Sequence, residues 1–199
     1  MAMAHGVKVG AHPGYPDKEN FGRKPFPMEI NQLKKSLFKQ IERVKREVEK
    51  QGGSLHHVKP HGALYNELKT DREKAAVITE IMNKIGMEVS LFVPPDSVVK
   101  ELAENTLKKI KVEGFADRRY NADFSLKSRS SADAVLDRKE AVLKQVLDMA
   151  LFNGIKLEDG TLLKQKFDTI CIHSDTPGSV EILTYLNEQL PLNNVHIRA

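Results

Sequence analysis

The sequence has no tryptophan, a single cysteine and only 6% aromatic residues. So few aromatics leave little material for the stacking platforms that bind single-stranded nucleic acid. One cysteine, Cys171, forms no internal disulfide, which fits a reducing compartment. Lying in the apolar run Thr169-Ile170-Cys171-Ile172, it reads as a small buried hydrophobe. No apolar run approaches the ~18 residues of a membrane span. The opening Met1-Ala2-Met3-Ala4-His5-Gly6 lacks the apolar centre of a signal peptide. A strong charge imbalance is missing too: 31 basic against 27 acidic residues leave a net +4. Bases and acids interleave along helices, as in Glu42 and Arg46, so they read as solvated faces rather than a nucleic-acid stripe. The expectation is a cytoplasmic protein with neither nucleic acid nor membrane as partner.

Several site signatures are missing as well. No Gly-x-Gly-x-x-Gly follows a strand, and Gly14 and Gly22-Arg23 do not make a Walker-type phosphate loop. There is no Gly-x-Ser-x-Gly elbow, which argues against an α/β-hydrolase triad.

What the chain does have is alternation. At 199 residues and 40% hydrophobic content it suits one domain, 1–199, with a real core. Val7–Ala11 reads as a short buried strand. Ile30, Leu33, Leu37, Ile41, Val44 and Val48, in steps of three and four, predict a helix over Glu29–Gln51 that stops at Gly52-Gly53. A strand at His57–Lys59 follows. A capping box at Thr70 and Glu73 opens the next helix, which ends at Gly86. Val89–Val93 and Ile110–Phe115 read as strands, with a helix from Ser97 to Asn105 between them. A helix over Ala132–Phe152 leads to a hairpin signalled by Asp159-Gly160, and Asp168–Ile172 is a further strand. Thr176-Pro177 predicts the cap and first turn of a last helix to Leu190, with a final strand at Val195–Ile197. Short apolar strands between amphipathic helices predict a parallel α/β fold.

Polar chemistry gathers just after four of these strands: His12 to Asp17, Lys59 to Tyr65, Asp117 to Tyr120, and His173 to Asp175. In parallel α/β folds the carboxyl edge of the sheet is where loops converge on a ligand. Each group taken singly is explained as a turn or cap residue; four such clusters predict one shared cleft. Within His56-His57-x-x-x-His61, successive strand residues point to opposite faces. His61 is therefore the candidate, and His56 and His57 read as packing or surface residues.

Four segments carry a family resemblance: His12-Pro13-Gly14-Tyr15-Pro16-Asp17, Lys59-Pro60-His61-Gly62-Ala63-Leu64-Tyr65-Asn66, Phe115-Ala116-Asp117-Arg118-Arg119-Tyr120, and Cys171-Ile172-His173-Ser174-Asp175-Thr176-Pro177-Gly178. In order and spacing they resemble the LamB/YcsF family, whose members are known as the A component of the bacterial-type 5-oxoprolinase. The resemblance implies a seven-stranded β/α barrel of the glycoside hydrolase/deacetylase-like type. The family's first two strands lie ahead of the matched region, so the barrel is expected to be incomplete at the N-terminus. Two local departures stand out: the family's Asp-Gly-Thr-Leu turn reads Asp123-Phe124-Ser125-Leu126, and a usual glycine is Ser174.

The implied reaction is ATP-dependent hydrolysis of 5-oxoproline to glutamate, in company with subunits B and C. The roles below are implied by the resemblance. Asp175 or Asp117 would activate water, while Lys59 and Arg118 would neutralise carboxylate or phosphate. His12, His61 and His173 would carry protons or ligate a divalent ion accompanying ATP, magnesium being the expected one. A tightly bound metal is not specified. Tyr15, Asp17, Tyr65, Tyr120 and Arg129 join as substrate contacts, with Tyr65, Asn66 and Tyr120 alternatively bracing their loops and Arg129 alternatively solvated. Two other readings stand beside this one. The chain is a silent family member that binds a partner or forms a homodimer, or a metal-dependent carbohydrate deacetylase using His12, His61 and Asp175.

Overall fold

The structure, a computed structural model, describes residues 2–198. The chain divides into two compact units, Met1–Lys111 and Val112–Ala199.

The first unit runs β1 (Gly10–Ala11), α1 (Ile30–Lys50), β2 (His57–Val58), α2 (Gly62–Glu67), α3 (Arg72–Ile85), β3 (Ser90–Val93) and α4 (Val98–Thr106). Strands β1, β2 and β3 pair in parallel, with Gly10 opposite His57 and His57 opposite Ser90. Long helices between the strands make this pairing possible, because a parallel connection needs a crossover. Leu33, Leu37, Ile41 and Val48 of α1 are buried as the periodicity predicts. Each such side chain contributes about 1.5–3 kcal/mol by leaving water. Val58, Leu91 and Val93 on the strands are fully buried with them.

Side chains start the helices. Glu29 accepts from the Gln32 amide at 3.0 Å, and Ser97 from that of Lys100 at 3.2 Å. The cap of α3 is Asp71, which accepts from Lys74 N–H at 3.0 Å, one residue beyond the Thr70 expected from sequence. Helix α2 was not foreseen; Pro60 and Gly62 punctuate the segment, and six residues are too few to show a period.

The two adjacent histidines correct a second expectation. Their rings do meet, with Nδ1 atoms 3.0 Å apart, because His56 lies outside the two-residue strand and need not alternate with His57. His57 stacks flat on Phe92, ring centroids 4.2 Å apart. A β-carbon at Gly10 would strike the same imidazole, so only glycine fits opposite it. Burial first, then His56 and Lys59, depress the His57 pKa to about 4. Below pH 6.5 the unfolded chain takes up a proton that the folded chain refuses until about pH 4, so stability falls as pH drops across that window. Melting temperatures measured from pH 7 to 4 should decline, and His57→Phe should flatten the decline; an unchanged slope would refute the linkage.

The second unit holds β4 (Ile110–Phe115), which starts just before the division, then α5 (Lys139–Phe152), β5 (Gly154–Lys156), β6 (Leu162–Lys164), β7 (Thr169–Cys171) and α6 (Ser179–Leu192). β4 and β7 are parallel, with Glu113 opposite Thr169 and Phe115 opposite Cys171. β5 and β6 form the antiparallel hairpin that Asp159-Gly160 signals, Gly160 taking φ +87°. Val142 and Val146 pack with Ile182, Leu186 and Leu190 over Ala116 and Leu136.

Four expectations change in this unit. Helix α5 begins at Lys139 rather than Ala132, because the preceding segment pairs with the loop after β4: Arg119 N–H donates to Ala134 C=O and Leu136 N–H to Asp117 C=O. Helix α6 is entered through Gly178, with Thr176 diverted to another partner described below. Val195–Ile197 forms no strand. Cys171 is half-buried rather than sealed in the core.

Candidate active site

In the first unit the loops after β1 and β2 are sewn together. Lys59 N–H donates to Ala11 C=O, His61 N–H to Pro13 C=O and Ala63 N–H to Gly22 C=O. Gly62 makes this closeness possible: it sits at φ +58°, and a β-carbon there would run into the Gly22 carbonyl. His12 Nδ1 lies 2.6 Å from Lys59 C=O, and His61 Nε2 lies 2.7 Å from Phe21 C=O. The two rings face each other, His61 Nδ1 to His12 Nε2, at 2.9 Å.

Other predicted residues of this unit are committed to their surroundings. Tyr15 is buried and donates its hydroxyl to Glu67, which also pairs with Lys74 at 3.1 Å. Burial, then the Glu67 carboxylate, push the Tyr15 pKa above the usual phenol range. Asp17 is buried and closes its own turn, accepting from Asn20 N–H at 3.2 Å and from the Asn20 amide at 2.9 Å. Both brace the loop rather than reach outward. Tyr65 is buried within α2.

The second unit builds its group around Asp117, which is 0% exposed. Its carboxylate accepts from His173 N–H at 2.8 Å, from the His173 ring Nδ1 at 2.9 Å and from the Thr176 hydroxyl at 2.6 Å. Burial alone would raise the Asp117 pKa; the donors from His173 and Thr176 outweigh it and hold the carboxyl below its usual range. A carboxylate that accepts the Nδ1 hydrogen leaves the Nε2 lone pair of the uncharged ring available. Nε2 has no partner among the described residues. The ring is held flat against Phe115, centroids 5.1 Å apart. The arrangement matches a general base and its orienting acid. Asp117 thus fixes the orientation of the His173 ring.

Arg118 is 6% exposed. Its guanidinium donates to Ala134 C=O at 3.2 Å and Lys127 C=O at 2.7 Å, clamping the 127–134 segment. The carboxylate or phosphate fork expected of it is thus directed at backbone carbonyls. Tyr120 is buried, and its hydroxyl oxygen accepts from Phe115 N–H at 2.7 Å. Burial raises its pKa well above the usual range, so it braces the loop as a neutral phenol. Arg129 and Asp175 come together at 3.6 Å, both partly exposed.

Three residues were missed from sequence. Thr176 was read as a helix cap. Gln145 on α5 places its amide nitrogen 2.7, 3.1 and 2.8 Å from the carbonyls of Phe115, Ala116 and Arg118, holding the turn that carries Asp117. Its signal was a polar side chain on the apolar stripe of Val142, Val146 and Met149. Glu113 is 2% exposed, and its signal was a charge inside an apolar strand. A β-carbon at Gly114 would meet Met149 of α5, so Glu113 and Phe115 face the opposite side of β4.

Among the described residues no three His, Cys, Asp or Glu side chains gather in a set fit to hold a metal ion. Nor is any described helix long and apolar enough to cross a membrane.

The profile of the LamB/YcsF family matches residues 1–199. The chain belongs to the LamB/YcsF family. A relative from Pyrococcus furiosus, named as the A component of 5-oxoprolinase, is 35% identical, covering 99% of this chain and 77% of that protein. One of the same name from Azoarcus is 35% identical over 96% of this chain and 74% of its own length. The crystal structure of a "Lactam Utilization Protein" from Thermus thermophilus matches with a TM-score of 0.90 and 34% identity, covering 100% of this chain and 79% of that one. The chain shares with this LamB/YcsF structure the α/β fold of β/α-barrel type expected from the sequence, incomplete relative to it.

Proposed function

We propose that this chain is the A component of an ATP-dependent 5-oxoprolinase, working with two further subunits to open the lactam of 5-oxoproline to glutamate. The names of its LamB/YcsF relatives support the substrate, and the Asp117–His173 pair is the observation that carries the chemistry. A lactam carbonyl is a poor electrophile. Transfer of the ATP γ-phosphoryl group to the amide oxygen would give the ring carbon a good leaving group. A first water then attacks that carbon, its proton passing to His173 Nε2, and the C–N bond breaks as the nitrogen takes up a proton, leaving a glutamyl acyl phosphate that a second water cleaves to glutamate and phosphate. The sum is lactam, two waters and ATP giving glutamate, ADP and phosphate.

Lys59, directly after β2, supplies positive charge for carboxylate or phosphate. A magnesium ion would travel with ATP as part of that substrate. Asp175, paired with Arg129, anchors the loop next to the base. In the assembled enzyme, Lys59→Ala and Asp175→Asn should each lower turnover about a hundredfold, ~3 kcal/mol of barrier; near-normal rates in both would remove these assignments. The reading as a whole is tested by adding the other two subunits to the purified chain and measuring 5-oxoproline-dependent ATP hydrolysis together with native mass. Coupled formation of glutamate and ADP supports it. A tight homodimer without turnover would favour the silent binding member instead.

A further inference from the structure

One cleft lies wholly within the second unit and takes no part in the proposed reaction. It measures about 290 Å³ and lies between the loop after β4, helix α5 and the tip of the β5–β6 hairpin; neither Asp117 nor His173 borders it. That volume falls just short of the ~300–1,000 Å³ of sites for drug-sized ligands, so its occupant is small. Tyr120, Ile155 and Leu157 give it an apolar lining. The charges around it balance: Arg119, Lys127 and Lys156 stand against Glu158, Asp159 and the Asp133 that pairs with Lys127. A simple anion or cation gains little from such a set, whereas a molecule carrying one charge of each sign matches it.

Two polar groups on its walls are unmet. Arg119 reaches Glu158 through Nη1, at 3.4 Å. Its Nε–H is buried and has no acceptor among the described residues. Such a donor is a cost that an arriving acceptor relieves, and a carboxylate lying side-on to a guanidinium takes Nε together with a terminal nitrogen. Gln145 offers the opposite polarity. Its amide nitrogen is spent on the carbonyls of Phe115, Ala116 and Arg118, so the oxygen is turned away from them, and no described group donates to it. Glu158 adds a second acceptor. Lys127 holds one of its oxygens at 2.8 Å, and a carboxylate keeps lone pairs for a further donor. An ammonium group, with three hydrogens, suits both.

We propose that this cleft binds a free α-amino acid with an apolar side chain. The carboxylate lies on the Arg119 fork, the ammonium group sits between Glu158 and the Gln145 amide oxygen, and the side chain rests on Tyr120 and Ile155. The ligand as a whole is uncharged, so it leaves the local balance of charge unaltered while meeting the two groups that the protein leaves unmet. The site does not depend on the reaction proposed above.

The test is a backbone proton–nitrogen NMR titration of the full chain with L-leucine near neutral pH. Saturable shifts at millimolar concentration or below are expected, gathered on residues 119–122 and 155–159. Two analogues separate the contacts: 4-methylpentanoate lacks the ammonium group and 3-methylbutylamine lacks the carboxylate. Each should bind about tenfold more weakly or worse, the worth of one hydrogen bond to a charged group. Arg119→Gln should bring a similar loss. Ala122→Phe fills the cleft from an exposed position and should weaken binding at least as much; it serves where the Arg119 variant fails to fold. No saturation at millimolar concentration, equal binding of either analogue, or undiminished binding in a folded variant would overturn the proposal. So would shifts centred on His173, which would place the amino acid at the reaction site.

Discussion

His173→Gln is expected to lower turnover of the assembled enzyme by roughly a hundred- to ten-thousandfold, the range typical of a positioned general base. Glutamine keeps some of the volume and can still donate to Asp117, so the loop after β7 should survive. What it lacks is a basic lone pair at the place of Nε2. The Michaelis constant for 5-oxoproline should move much less than the turnover number, because the lost interaction belongs to the step in which water is deprotonated. Steady-state rates of glutamate formation decide the matter. A variant within tenfold of the parent would return the base position to Asp175.

Asp117→Asn is expected to cost about as much in rate and something in stability as well. The carboxylate accepts from three donors, of which two converge on one oxygen. An asparagine presents an NH₂ on one side. Where that NH₂ faces His173, the ring must turn its Nδ1 lone pair toward it, and the hydrogen moves to Nε2, where the base is needed. A loss of roughly a hundred- to ten-thousandfold follows, as in other enzymes where the orienting acid is neutralised. The unmet donor in a fully buried place costs a further ~1–3 kcal/mol in unfolding free energy. Urea unfolding of the variant measures the second effect separately from the first. Parent-like activity with reduced stability would make Asp117 a structural residue alone.

These two predictions turn on a partition that the sequence does not contain. Asp117, Arg118 and Tyr120 are three polar residues after one strand, and composition makes them equal candidates. In the structure, Asp117 faces His173 and Thr176, Arg118 faces two carbonyls, and Tyr120 turns back onto the strand that precedes it. Each has found a buried partner, as buried polar groups must, but which partner depends on segments as distant as 59 residues along the chain. Thr176 illustrates the same limit. Its local context before Pro177 is that of a helix cap, yet its hydroxyl goes to a carboxylate just beyond β4 instead of to the helix.

The alternation of strands and helices, the apolar stripe of α1, the hairpin at Asp159-Gly160 and the clustering of polar residues after β1, β2, β4 and β7 were all legible in the sequence. These features follow from local rules: the 3.6-residue period, the conformational freedom of glycine and the need of a buried strand to be apolar. Only the tertiary structure decided which of the clustered groups fasten loops and which keep a nitrogen or oxygen available. It turned His12 and His61 toward each other, set Gln145 under the Asp117 turn and began α5 at Lys139. Hydrogen-bond partners are chosen by proximity in space, and a linear pattern carries periodicity and propensity but no distances between segments.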